Sequence, residues 1–278
     1  MTISYLQSIL IGLVSGLADF LPVSGDAHRL VVGNLVGLPL VPPAFCLFLH
    51  LGALAALVIS CRNDIFKLRR ERAIAQIPPR RRKRRPDFQT ILTVRMLETA
   101  VIPMLLLMLF RLKIAKYANS LVVLSVMLVI NGIILFLPTF YAKGNKDARN
   151  LTRFDGVLLG IMGAASAIPG LSRTGAMVSA AEMRGVSRSY GLRFTLLLCI
   201  PGLIADCVLD LVGIFTGESA GIVGGFVPYI LGCIAAGIGS YLAIRLMRFL
   251  SVKLGFARFS FYNWGAALLC LILYLTAS

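Results

Sequence analysis

Long apolar stretches alternate with short polar ones along the chain. Six apolar stretches, at about 44–61, 91–110, 119–140, 190–213, 222–248 and 258–277, are long enough, or nearly so, to cross a bilayer as helices. Two others, 3–36 and 154–183, do not fit that pattern, because polar runs with Gly and Pro divide them at 22–28 and 169–175. Each half is too short to span. A pair of short helices that enters the membrane and turns back fits better, since irregular backbone at membrane depth is tolerated only when buried in protein or lining a cavity. The expected fold is an all-α polytopic membrane protein with six transmembrane helices and two re-entrant helical hairpins.

Composition agrees with this reading. The 278 residues are 58% hydrophobic and 14% charged, with a mean hydropathy of +0.86. A soluble domain cannot hide that much apolar surface. The first residues, MTISYLQSILIGLVSGLADF, have no basic n-region and no small-residue cleavage site, so they read as structure and not as a removable signal. The six cysteines lie in or beside apolar segments without a C-x-x-C pair and read as small buried hydrophobes.

The net charge of +16 is concentrated. Residues 62–85 hold eleven of the 28 Lys and Arg, including RRRKRR at 80–85. No aromatic residue interleaves with RRRKRR, and it sits between two spans. It reads as a cytoplasmic loop that touches anionic lipid, and no nucleic-acid partner is expected. If the six long stretches cross and the two broken ones re-enter, the loops near 62–90, 141–153, 184–189 and 249–258 share one side, and all carry Lys or Arg. On the other side only 111–118 is basic, with Arg111, Lys113 and Lys116. The first group is therefore cytoplasmic, and both termini face outward. The first hairpin then starts from outside and the second from the cytoplasm. The halves 1–140 and 153–278, joined by a cytoplasmic linker at 141–152, read as an inverted-topology repeat with a site where the broken helices meet.

The chemistry-bearing residues cluster at the two breaks. In AIPGLSRTGAM, 167–177, Pro169 and Gly170 stop one short helix, and Ser172, Arg173, Thr174 and Gly175 open the next. A Gly-flanked helix start with free N–H groups, hydroxyls and an arginine suits a phosphate. The plainer alternative is that Arg173 pairs with a carboxylate and holds the hairpins together. The first break, LADFLPVSGDAHRL at 17–30, supplies Asp19, Ser24, Asp26 and His28. Its carboxylates can hold a divalent cation or act as a base, and its histidine can carry a proton near neutral pH. A hydrogen-bonding structural histidine and an Asp19–Arg173 ion pair are the bland alternatives. Together the turns suggest a phosphate-bearing lipid ligand. Elsewhere, Glu98 reads as an interhelical partner of an arginine, Asp206 and Asp210 share a helix face, Glu182 is a substitute acid that could approach the site, and Tyr262 and Trp264 read as interfacial anchors.

These runs resemble the undecaprenyl-diphosphate phosphatase family of the bacitracin-resistance type, over most of the chain. The family's first motif has two acids spaced E-x-x-x-E before F-L-P-[VI]-S-S-T-G-H; here it reads SGLADFLPVSGDAH. Its second is P-G-x-S-R-S-G-x-T; here it is PGLSRTGAM. FCLFLHLGALAAL, GLRFTLLLCIPG and YLAIRLMRFL add weaker matches. The resemblance implies a bacterial inner-membrane hydrolase that converts undecaprenyl diphosphate to undecaprenyl phosphate in recycling of the cell-wall lipid carrier. It also implies action on the outer face and use of Mg or Ca. It points to catalysis by Asp19, Ser24, His28 and Arg173 and agrees with phosphate binding by Ser172, Arg173, Thr174 and Gly175, in a chain that could pair as a homodimer. Asp19 and Asp26, the latter an acid where the family has Thr, are the candidate metal ligands.

Several positions depart from the family pattern. The first acid falls at Ser15, the second is the shorter Asp19, the second serine is Gly25, Thr-Gly is Asp26-Ala27, and the last Thr is Met177. A glutamine often found six residues before the proline is replaced by Gly163. Either Asp19 and Asp26 rebuild the catalytic half, or the scaffold carries or senses the lipid phosphate without chemistry. A small-solute transporter rests on the broken helices alone.

Overall fold

The computed structural model describes residues 3–38, 41–114, 117, 120–216, 225–253 and 255–277. Lys116, parts of the loops 37–43, 214–221 and 249–258, and the start of the 222–248 stretch lie outside these. The described chain is helical: α1 Tyr5–Phe20, α2 Gly25–Leu35, α3 Pro43–Gln76, α4 Phe88–Met108, α5 Arg111–Ile114, α6 Leu121–Phe136, α7 Arg153–Gly163, α8 Arg173–Met183, α9 Arg188–Phe215, α10 Val227–Lys253 and α11 Phe259–Ala277. Six helices are long and apolar enough to cross a membrane: α3, α4 with α5, α6 with the 3₁₀ turn after it, α9, α10 and α11. Their outer faces carry large apolar side chains such as Leu106, Ile234, Leu268 and Leu275, as lipid-facing surfaces do.

The helices break where the polar runs predict. α1 has 16 residues and α2, α7 and α8 have 11 each. At 1.5 Å per residue none reaches the roughly 30 Å of a hydrocarbon core. Ser4 opens α1 with a capping box to Gln7, and Thr152 opens α7 with one to Asp155. Ser24 and Ser172 cap α2 and α8 by accepting the N–H of Ala27 and Gly175.

The basic segment 62–76, expected as part of a loop, is instead the C-terminal part of α3. Its Lys, Arg, Glu, Leu and Ala are good helix formers, and no Gly or Pro interrupts them before Pro78. Arg193 meets Asp64 at 2.6 Å, and Arg72 meets Glu98 at 2.7 Å, which makes Glu98 the interhelical partner it was expected to be. The RRRKRR run folds back on this extension: Arg84 donates to the buried Glu71 at 2.5 and 2.9 Å. Asp87, just before α4, accepts from Thr90 and Lys67, and these contacts hold its carboxyl down to about 2. Likewise α10 runs on to Lys253, so the loop expected from 249 begins later.

Close backbone packing positions the broken helices. On α1, a Cβ at Gly16 would lie 2.0 Å from the Ala236 carbonyl of α10, and one at Gly12 would lie 2.5 Å from that of Gly232. On α7, a Cβ at Gly160 would lie 2.1 Å from the Ala100 carbonyl of α4. Small residues let membrane helices approach this closely, where apolar burial alone gives no preference for protein over lipid. α6 packs on α11, with Trp264 lying over Gly132 and donating to the Val129 carbonyl at 3.2 Å. The cysteines are all free thiols, four of them buried.

Candidate active site

The two breaks meet, and hydrogen bonds hold them together. Ending α1 at Phe20 leaves the Pro22 carbonyl without a helical partner and the Leu21 carbonyl with only the Val23 N–H at 2.7 Å. Leu21 O accepts from the hydroxyls of Ser172 at 3.3 Å and Thr174 at 3.0 Å. Pro22 O accepts from Asn263 of α11 at 3.0 Å and Asn131 of α6 at 3.4 Å. Asn131 also donates to Asn263 at 2.8 Å and accepts the Ser172 N–H at 3.0 Å. The buried Asn131 therefore touches both turns. An unsatisfied carbonyl here would cost about 1–3 kcal/mol.

Beside this joint lies a polar pocket lined by Asp19, Gly25, Asp26, Arg29, His50, Arg111, Ser166, Ser172, Arg173 and Asp206, with apolar residues of α1, α9 and the two turns. Its ionic groups form one connected chain. Arg29 pairs with Asp26, and its Nη1 donates to His50 Nε2 at 3.2 Å. Arginine has only donors, so Nε2 carries the lone pair, and the Nδ1 proton goes to Asp210 at 2.5 Å. Arg111 lies 3.7 Å from Asp210 and donates to Asp206 Oδ1 at 2.5 Å. Arg173 donates to Asp206 Oδ2 at 2.6 Å, to Ser166 Oγ at 2.5 Å and through Nε to the Gly163 carbonyl at 3.2 Å. Its guanidinium lies flat on Gly202, where a Cβ would come within 3.0 Å.

Asp19 stands apart from that chain. Its nearest cation is Arg29 at 3.9 Å, not Arg173. Its Oδ2 is buried and makes no hydrogen bond. Its Oδ1 occupies the space a side chain at residue 25 would need, since a Cβ on Gly25 would sit 2.3 Å away. The shortened acid and the missing serine are therefore one coupled change. Gly25→Ser should push the Asp19 carboxylate aside and lower turnover by about a hundredfold. Thermal melting together with a turnover assay checks this, and unchanged turnover would separate the two positions.

The pocket thus gathers Asp19, Asp26, Ser172 and Arg173 from among the expected site residues. Ser24, His28, Thr174 and Gly175 do not line it. Ser24 is buried as the α2 cap. His28 turns the other way: Nδ1 donates to the Ser24 carbonyl at 2.6 Å, and Nε2 accepts from the Tyr262 hydroxyl at 2.8 Å. Thr174 ties the two turns, and the Gly175 N–H is taken up by its own cap. Glu182 pairs with Arg188 at 3.2 Å, away from the pocket. Sequence reasoning missed Arg29, His50, Arg111 and Ser166, and gave Asp206 and Asp210 no role in the site. His50 is the second of only two histidines, and Asp206 and Asp210 are acids in an apolar run. Both are signals of function in a membrane segment.

The residues do not suit a resident Mg or Ca. Such ions take six or more oxygen ligands. Here Asp26 is held by Arg29, Asp206 by two arginines and Asp210 by His50. What is left over is Asp19, which makes no hydrogen bond, and Asp26 Oδ2, whose sister oxygen is held by Arg29. Among the described residues no three His, Cys, Asp or Glu side chains form a ligand group. Three guanidinium groups instead suit an anion.

A family model described as "Bacitracin resistance protein BacA" matches residues 8–269. A protein of Carboxydothermus hydrogenoformans named undecaprenyl-diphosphatase is 29% identical over 268 residues, 96% of each chain. One of the same name from Methanobrevibacter smithii is 30% identical over 266 residues, 93% of this chain and 94% of that one. Undecaprenyl-diphosphatase 2 of Bacillus thuringiensis is 29% identical over 268 residues, 96% of this chain and 97% of the other. With nearly the whole chain matched, this protein belongs to the bacitracin resistance protein BacA family.

Proposed function

We propose that the protein is a multi-pass hydrolase of the bacterial cytoplasmic membrane that converts undecaprenyl diphosphate to undecaprenyl phosphate. The observation that carries this is the convergence of Arg29, Arg111 and Arg173 on a pocket that also holds the Asp19 carboxylate, whose buried Oδ2 makes no hydrogen bond. The family, and the names of its relatives, supply the substrate.

In this reading the arginines take the terminal phosphate and the bridging oxygen. Water attacks the terminal phosphorus opposite the bridge, and Asp19 Oδ2 accepts its proton. The bond from that phosphorus to the bridging oxygen breaks. Undecaprenyl phosphate leaves with the bridging oxygen, inorganic phosphate is the second product, and Asp19 releases its proton to water. Phosphoryl transfer of this kind depends mainly on positioning and on neutralising spread charge, both of which fixed arginines supply.

The broken pairs α1–α2 and α7–α8 are read as re-entrant hairpins of an inverted repeat. The packing supports this: α1 of the first half lies on α10 of the second, and α7 of the second half lies on α4 of the first. Gly12 and Gly160 also stand at the same spacing before the capping Ser24 and Ser172. The pocket is built near one set of helix ends, those of α3 at Pro43, α4 with α5 at Ile114 and α9 at Phe215. His50 is about 10 Å along α3 from that end. The charge asymmetry puts these ends outside, which suits action on the outer face.

The test is phosphate release from undecaprenyl diphosphate by the purified protein in detergent. Release above the detergent background is expected. Tight binding of the lipid with no release would replace hydrolysis by a carrying or sensing role.

A further inference from the structure

Arg29 occupies the place between the two positions of the family's paired acids, which are Ser15 and Asp19 in this chain. Its Nη1 donates to Ser15 Oγ at 3.1 Å, at the first of these positions. The same nitrogen is 3.9 Å from Asp19 at the second. Asp26, which stands in place of the family threonine, fixes the other arm of the fork, and His50 accepts from Nη1 on the far side. The whole side chain is buried, with 7% exposed. The departures at 15, 19 and 26 thus all touch one group, and the fourth touches Asp19: Ser15 makes room for the guanidinium, Gly25 makes room for the retracted Asp19, and Asp26 holds the fork.

We propose that Arg29 is a built-in cation that meets the diphosphate in place of a divalent metal. A guanidinium is charged at every accessible pH, and its fork matches two phosphate oxygens. Its Nε makes no hydrogen bond to any described residue and remains a donor for the ligand. With Arg29 seated, a metal ion would have to displace a cation already held by Asp26, Ser15 and His50. The proposal rests on the reading above for the identity of the lipid, but not for the absence of a metal site.

Two measurements test it. The first is titration of the purified protein with Mn²⁺ alone, tracked by the loss of the free-ion EPR signal. No saturable binding is expected below about 1 mM, the weak end of protein calcium sites. The double variant Ser15→Glu, Arg29→Ser should create a saturable site. Saturable binding to the wild type that Asp19→Asn removes would overturn the proposal.

The second is binding and turnover of undecaprenyl diphosphate in chelator. Wild type should bind and release phosphate as well in chelator as with Mg²⁺ or Ca²⁺. Arg29→Gln should weaken binding by about 30-fold, the scale of one charge-assisted fork, and Arg29→Lys by less. Release that appears only with added metal overturns the proposal. Chelator-resistant binding that needs Arg29, with no release under any condition, upholds it and overturns hydrolysis instead.

Discussion

Arg173→Ala lowers phosphate release by about a thousandfold, the upper range for removal of one preorganised charge donor from a transition state. Arg173 does three things at once. It presents a cation to the pocket, it neutralises Asp206, and it ties α8 back to α7 through Gly163 and Ser166. In the variant Asp206 keeps Arg111 as a partner, so the loss of stability stays near the lower end, about 3 kcal/mol, for breaking a buried pair. Arg173→Lys separates the roles. It keeps the charge but loses the Nε bond and the planar stack on Gly202, and should recover part of the binding with little of the rate. The readouts are phosphate release, lipid binding and the melting temperature in the same detergent. If both binding and release were unchanged in Arg173→Ala, the pocket would not be the place where lipid phosphate is held.

Asp19→Asn separates rate from binding. The amide has the size of the carboxylate, so it still fills the space above Gly25. It cannot take a proton from water. The expected result is a fall in kcat of about a thousandfold, within the range for loss of a general base. Lipid binding should be equal or tighter, because a negative charge beside the phosphate has been removed. A rate within about twofold of wild type would transfer the base role away from Asp19. If binding fell along with rate, Asp19 would be a positioning residue and not a base.

The broken helices and their meeting were legible in the sequence because the signals are local. Pro22, Pro169 and Gly170 interrupt apolar runs, and the hydroxyl residues beside them cap the next helix in each case. Asp19, Asp26, Ser172 and Arg173 stand close to those breaks, so their nearness to the pocket could be inferred. His28 met every sequence criterion for a proton carrier, yet it faces Tyr262. The rotamer that lets Nδ1 reach the Ser24 carbonyl, one turn back, points the ring away from the pocket. The hydroxyl of Thr174 is similarly used on a carbonyl just past the end of α1.

By itself the sequence determined the class of protein, the six long apolar helices, the two interruptions and the family, since each depends on residue order over a few turns or on a short motif. Only the tertiary structure decided which charges share the pocket. Arg29 and His50 are on α2 and α3, Arg111 opens α5 near the end of the second span, and Asp206 and Asp210 lie on α9. No local rule pairs Asp210 with His50 or Asp206 with both Arg111 and Arg173. In a medium without water each of these buried charges needs a partner, and the packing of α3 on α9 and of α8 on α9 supplies it. The same packing turns Arg29, an unremarked residue at the end of a motif, into the group that three sequence departures, Ser15, Asp19 and Asp26, contact.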